Sequence, residues 1–152
     1  MFTKKRMVNN RFMNYVFLCV GSSKVVCDSF SCFVGSFLKK KNIKAFVYGT
    51  LNNPINSLNL DNFLTMLDTY HKDDYIVVVD TRLGKGKNIK MSLNIGSLEV
   101  SSLNLKRKIG NCNFTLDIPF EFVSKIDLKT IIKYSIKASE NLFYVHKMLL
   151  KT

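Results

Sequence analysis

The chain has 152 residues, 47% hydrophobic and 22% charged, which suits one packed domain and excludes a disordered or collagen-like polypeptide. Its longest apolar runs, Val16–Val20 and Ile76–Val79, fall far short of the roughly 18–20 residues that cross a bilayer, so no membrane-spanning segment is expected. A net charge of +12 points to acidic partners or nucleic-acid phosphates, although abundant Lys, Asn, Ile and Phe are also what an AT-rich genome imposes on a solvated surface.

Residues 1–14, "MFTKKRMVNNRFMN", read as a short basic arm ahead of a single α/β domain over residues 15–152. The apolar run behind that basic front is shorter than the about 7–15 residues of a signal peptide, so a cytoplasmic chain is expected. Tyr15–Val20 is a buried-strand pattern closed by the turn "GSS". Asp28 or Ser29 can then cap a helix, because Phe30, Phe33, Val34, Phe37 and Leu38 recur at one-face helical spacing. "AFVYG" reads as a second strand, followed by the loop "TLNNPINS". Leu60, Phe63, Leu64 and Leu67 repeat the helical spacing, with Ser57 or Asn59 as cap. "YIVVVD" is a third strand whose unbroken hydrophobicity suits a parallel sheet covered on both faces.

The first half is thus β-α-β-α-β, the pattern of an α/β layered domain with right-handed crossovers. In the second half "NIKMSLNIG", "SLEVSS" and "NCNFTLDIPF" predict further strands. From Asp127 onward Leu128, Ile131, Ile132, Leu142, Val145 and Leu149 predict a long closing helix.

Asp28 and Asp80 each stand at the exit of an apolar strand. In open α/β sheets ligands bind beyond the carboxyl ends of the strands, where successive connections pass to opposite faces. A strand order containing 2-1-3 would make the first and third strands neighbours and bring Asp28 and Asp80 to one crevice. Two carboxyls in a partly dry crevice can share one proton, and so activate water and protonate a leaving group, or hold a cation. The plainer reading makes Asp28 a helix cap and Asp80 the end of a strand before a "TRLGKG" loop.

Cys19, Cys27, Cys32 and Cys112 form no CxxC pair and read as reduced thiols in or near the core. Neither His71 nor His146 is placed by sequence to activate Cys27 as a nucleophile. Lys125, Lys129, Lys133 and Lys137 recur every four residues along the last helix, and Lys106, Arg107 and Lys108 form a second basic cluster. Both could meet an acidic protein or nucleic acid, with salt-sensitive affinity.

"LCVGSSKVVCDSFSCFVGSFLK", "VYGTLNNPINSLNL" and "YIVVVDTRLGK" together resemble the YyaC-type sporulation-protease family of spore-forming bacteria, over nearly the whole chain from Tyr15. Tyr48–Leu51 with Pro54 is the most specific piece, since neither fold nor codon bias demands it. The resemblance implies a three-layer α/β/α sandwich with a mostly parallel mixed sheet, similar to the spore germination proteases and hydrogenase maturation endopeptidases. It implies a peptidase acting on a peptide or protein substrate in the cytoplasm of a sporulating cell. Asp28 and Asp80 match by motif the two aspartates to which hydrolysis is assigned in the germination proteases, while Thr50, Asn53 and Ser29 are the polar candidates to orient a substrate. No cofactor is expected, because His71 and His146 miss the position of the third, histidine ligand of the hydrogenase-type enzymes; a divalent metal between Asp28 and Asp80 is the alternative. The chain departs from the family pattern at Cys27, where Gly is usual, and at Ser31 and Cys32, where Gly-Pro is usual. It departs again at Ser23 or Lys24, where an acid is usual, and at Arg82, where a small residue follows the second aspartate.

Overall fold

The computed structural model describes residues 6–8 and 11–151. Strands β1 (Arg6–Val8) and β2 (Arg11–Met13) pair antiparallel, so this part of the expected basic arm has regular structure; the rest of residues 1–10 lies outside the described residues. The chain continues through β3 (Tyr15–Cys19), α1 (Phe30–Lys40), β4 (Phe46–Tyr48), α2 (Leu60–Tyr70) and β5 (Tyr75–Gly84). It then passes through β6 (Lys90–Ile95), β7 (Leu98–Ser101), β8 (Lys106–Ile109), β9 (Cys112–Pro119) and α3 (Leu128–Leu149).

Five strands form the main sheet in the order β4-β3-β5-β9-β6, parallel except for β6. The order β4-β3-β5 is the 2-1-3 arrangement, which makes the first and third strands of the domain neighbours. Alternation along the strands divides the core between the two faces of the sheet. Phe17, Cys19, Val77, Val79, Phe114, Leu116 and Ile118 pack with Phe30, Val34 and Leu38 of α1 and Ile131, Ala138 and Leu142 of α3. Val16, Leu18 and Val78 pack against Leu60, Leu64 and Leu67 of α2 and against Leu98, Val100 and Ile109 of the β7–β8 hairpin. The β3→β4 and β4→β5 connections therefore run over opposite faces, which creates the crevice geometry of a doubly wound sheet.

Three expectations need correction. Strand β5 does not stop at Asp80 but runs on to Gly84, because β9 supplies partners as far as Gly84↔Pro119, long after β3 has ended. Asp28 does not cap α1: it closes a short 3-10 turn, Val26–Asp28, and its carboxylate turns back toward β3. Ser29 occupies the cap position, yet its hydroxyl donates to the Val26 carbonyl rather than serving the helix amides.

The long helix α3 begins as expected, with the Asp127 side chain accepting from the Thr130 N–H at 2.9 Å. Its buried face, however, runs through Ile131, Ser135, Ala138, Ser139, Leu142 and His146, while Val145 and Leu149 face outward. His146 packs edge-on against Tyr15 at 5.0 Å and Phe17 at 6.0 Å, and burial holds its pKa below the usual range.

Candidate functional site

At the end of β3 the chain leaves β5. The Val20 N–H still reaches the Val79 carbonyl at 2.8 Å, but the Gly21 N–H bonds to Ile55 and Val20 bridges in parallel to Ile55. That divergence opens a cleft of about 730 Å³ beside Asp80, the first residue of β5 beyond the β3 pairing. The lining comes from four separate parts of the chain: Val20–Lys24 with Asp28, Pro54 with Asn56–Leu58, Asp80–Leu83, and Glu99–Ser101 of β7.

Asp28 is carried to this cleft by the 3-10 turn, and close backbone approach fixes it there. A side chain at Gly21 would collide with the Asp28 carbonyl oxygen, so only glycine lets the turn fold back onto the strand exit. The Ser22 N–H donates to Asp28 Oδ2 at 2.8 Å. Asp28 is half-buried, and burial raises its carboxyl pKa against the lowering effect of that hydrogen bond.

Asp80 lies on the same face of β5 as Val78 and Arg82, since alternate residues share a face. Its pKa is pushed up to about 7, first by burial and next by the charge of Asp28. The Thr81 N–H, donating to Asp80 Oδ1 at 2.7 Å, and the Arg82 guanidinium act in the opposite direction. Arg82 does not form the neutralising partner of Asp80. It leans toward Asp117, its register partner on β9, with Nε 3.8 Å from Oδ1. Near neutral pH the cleft can therefore hold one ionised and one protonated carboxyl, a pairing suited to general acid–base chemistry.

A family model described as "Protein of unknown function (DUF1256)" matches residues 2–141. The chain belongs to the DUF1256 family. It is also 30% identical over 96 residues to "Uncharacterized protein YyaC" of Bacillus subtilis strain 168, a match covering 62% of this chain and 44% of that protein. The chain thus spans less than half the length of that relative. No solved structure matches it.

In this DUF1256 protein the substrate-orienting residues expected from sequence are not at the cleft. Thr50 and Asn53 hold each other: the Thr50 N–H donates to the Asn53 carbonyl and the Asn53 N–H to Thr50 Oγ1, both at 3.1 Å. They lock the turn after Gly49, whose φ of +93° suits glycine, and leave the lining to Pro54, Asn56, Ser57 and Leu58 farther along the same loop. Ser29 is buried and bonded to Val26.

Cys19, Cys27, Cys32 and Cys112 are all free thiols. Burial and the neighbouring Asp28 raise the Cys27 pKa, and Cys32 is pushed up to about 11. A raised thiol pKa disfavours the nucleophilic thiolate.

His71 lies apart from the cleft in a buried chain, with Nε2 2.7 Å from the Tyr48 hydroxyl and Nδ1 2.8 Å from Asp74 Oδ2. It ties the edge strand β4 to the end of α2, which gives the Tyr48 of the family-like block a structural task. Among the described residues no three His, Cys, Asp or Glu side chains gather as a set able to hold a metal ion; Asp28 and Asp80 offer two carboxylates. No helix of the described residues is long and apolar enough to cross a membrane.

Sequence reasoning missed Ser22, Asn56, Ser57, Glu99 and Ser101 as lining residues. The "GSS" turn that ends β3 signalled Ser22. Glu99 had no such signal, because only the packing of Leu98 and Val100 beneath α2 brings its hairpin to the cleft.

Proposed function

We propose that this protein is a peptidase of the sporulation type, with the three-layer architecture of the germination and hydrogenase-maturation proteases, in which Asp28 and Asp80 hydrolyse a peptide bond. The observation that carries the reading is that both carboxyls line one cleft at the point where β3 parts from β5. The cleft combines exposed leucines, Leu58 and Leu83, with serine and asparagine hydroxyl and amide groups, the mixture an extended peptide requires. In the reaction the ionised Asp28 takes a proton from a water whose oxygen attacks the peptide carbonyl carbon. Protonated Asp80 gives its proton to the departing nitrogen as the C–N bond breaks, and a carboxyl and an amine are released.

The test is cleavage of an unfolded protein substrate by the full chain and by Asp28→Asn and Asp80→Asn. Each substitution is expected to lower kcat by at least about 100-fold with the fold intact by circular dichroism. Activity retained in either variant rejects the paired-carboxyl mechanism.

A second reading, a binding module for an acidic protein or nucleic acid, is favoured by one observation: Lys129, Lys133 and Lys137 are all exposed along α3. The other basic cluster supports it less, because Arg107 is engaged with Asp68 of α2 by two bonds of 2.8 and 2.6 Å. Salt-sensitive nucleic-acid binding in the absence of peptide cleavage would select this reading.

A further inference from the structure

We propose that Arg82 is a carboxylate anchor of the cleft, binding an acidic group of the peptide within about two residues of the bond that is cut. The inference rests on the peptidase reading, since it assigns a feature of the substrate.

Arg82 lines the cleft from a strand rather than a free loop, because its backbone is held in β5 by pairing with Asp117 of β9. Its side chain is 47% exposed, which leaves the guanidinium open to a ligand in the cleft that Arg82 lines. Two residues of strand separate it from Asp80 on the same face, about 7 Å at roughly 3.4 Å per residue. An extended peptide has a similar rise, so a carbonyl at Asp80 sets a side chain or chain end one or two residues away beside Arg82.

The existing partner of Arg82 can release it cheaply. The Nε–Oδ1 distance of 3.8 Å to Asp117 is longer than a hydrogen bond. Asp117 is meanwhile served by hydroxyls, Thr115 Oγ1 donating to Oδ1 at 3.0 Å and Ser92 Oγ to Oδ2 at 3.3 Å. Turning the guanidinium to a ligand therefore leaves no buried carboxylate stripped of donors. The planar fork of arginine matches a carboxylate in two parallel bonds, which a lysine cannot reproduce. Lys24 lines the same cleft and adds positive potential, and the net charge of +12 favours the approach of an acidic ligand.

The carboxylate has two chemical sources, an acidic side chain or a peptide C-terminus, and four short peptides separate them. Acetyl-Ala-Glu-Ala-amide is compared with acetyl-Ala-Gln-Ala-amide, and acetyl-Ala-Ala-Ala as free acid with its amide. Affinities are measured by calorimetry on the full chain carrying Asp28→Asn, which suppresses turnover, with Arg82 intact, Arg82→Gln or Arg82→Lys. We expect at least one carboxylate peptide to bind about tenfold more tightly than its amide, the gain of a charge-assisted hydrogen-bonded pair. The advantage should vanish in Arg82→Gln and survive in part in Arg82→Lys, and the pair that shows it names the source. Equal affinities within both pairs, a preference that persists in Arg82→Gln, or no binding at all overturns the assignment. Hydrolysis by the unsubstituted chain is read separately: cleavage without acidic preference sinks the anchor alone, and anchored binding without cleavage sinks the peptidase reading alone.

Discussion

At Asp80 the fold keeps a carboxyl in surroundings that favour its neutral form, because burial outweighs both the Thr81 N–H and the charge of Arg82. An unfolded aspartate titrates near about 3.9, whereas the folded group titrates near about 7. Between those values the folded state binds more protons than the unfolded chain, so Asp80 removes stability as pH rises and contributes no loss below about pH 4. Asp80→Asn should therefore raise stability on the order of 3–4 kcal/mol at about pH 8 and hardly at all at about pH 4. Urea unfolding at the two pH values measures this, and an equal effect at both would remove burial as the cause. The same group shapes activity. Asp80 must hold its proton to serve as acid, so kcat/KM is expected to fall on the alkaline side with an apparent pKa near about 7 that belongs to the pair. A rate that stays flat from about pH 6 to 9 would exclude Asp80 as the proton donor. Spacing alone marked both aspartates in the sequence; their different environments could not be read there, since burial depends on chain that is remote in sequence.

The helices and hairpins show where periodicity is informative and where it misleads. In α3 Leu128, Ile131, Ile132, Leu142, Val145 and Leu149 mark a long helix, but the residues it buries are Ile131, Ser135, Ala138, Ser139, Leu142 and His146. Small residues at 135, 138 and 139 let α3 approach α1 closely, as the hydrogen-bond contact of the Ser135 hydroxyl with the Phe30 carbonyl at 3.4 Å shows. Hydrophobicity counts alone undervalue such positions. Ile131→Ala is expected to cost about 2–5 kcal/mol as a buried cavity, whereas Val145→Ala should stay within about 0.5 kcal/mol. The urea midpoints of the two variants check this; similar losses would return Val145 to the core. The β7–β8 hairpin is the other instructive element, because Leu98 and Val100 alternate inward while Glu99 and Ser101 alternate toward solvent and the cleft. Alternation made β7 readable as a strand. Its place in the lining of the cleft came from packing on α2 and from the Arg107–Asp68 pair.

Across the whole molecule, 23 basic and 11 acidic side chains leave a self-repelling surface. Raising sodium chloride from about 0.01 to 1 M shortens the screening length from roughly 30 to 3 Å, so the thermal midpoint should rise with salt. A midpoint that falls would mean that local ion pairs such as Arg107–Asp68 outweigh the global repulsion. The same scale separates what the sequence determined from what the folded chain decided. The β-α-β-α-β order, the buried strands β3 and β5, the inward faces of α1 and α2, and the two aspartates that follow apolar runs are all legible in local spacing. Side chains three, four or two residues apart must share a face whatever lies beyond them. The extension of β5 past Asp80 and the arrival of Glu99 at the cleft depended on partners tens of residues away. So did the turning of Arg82 toward Asp117. Those outcomes were decided by which strand lies beside which, a competition among long-range pairings that local spacing does not encode.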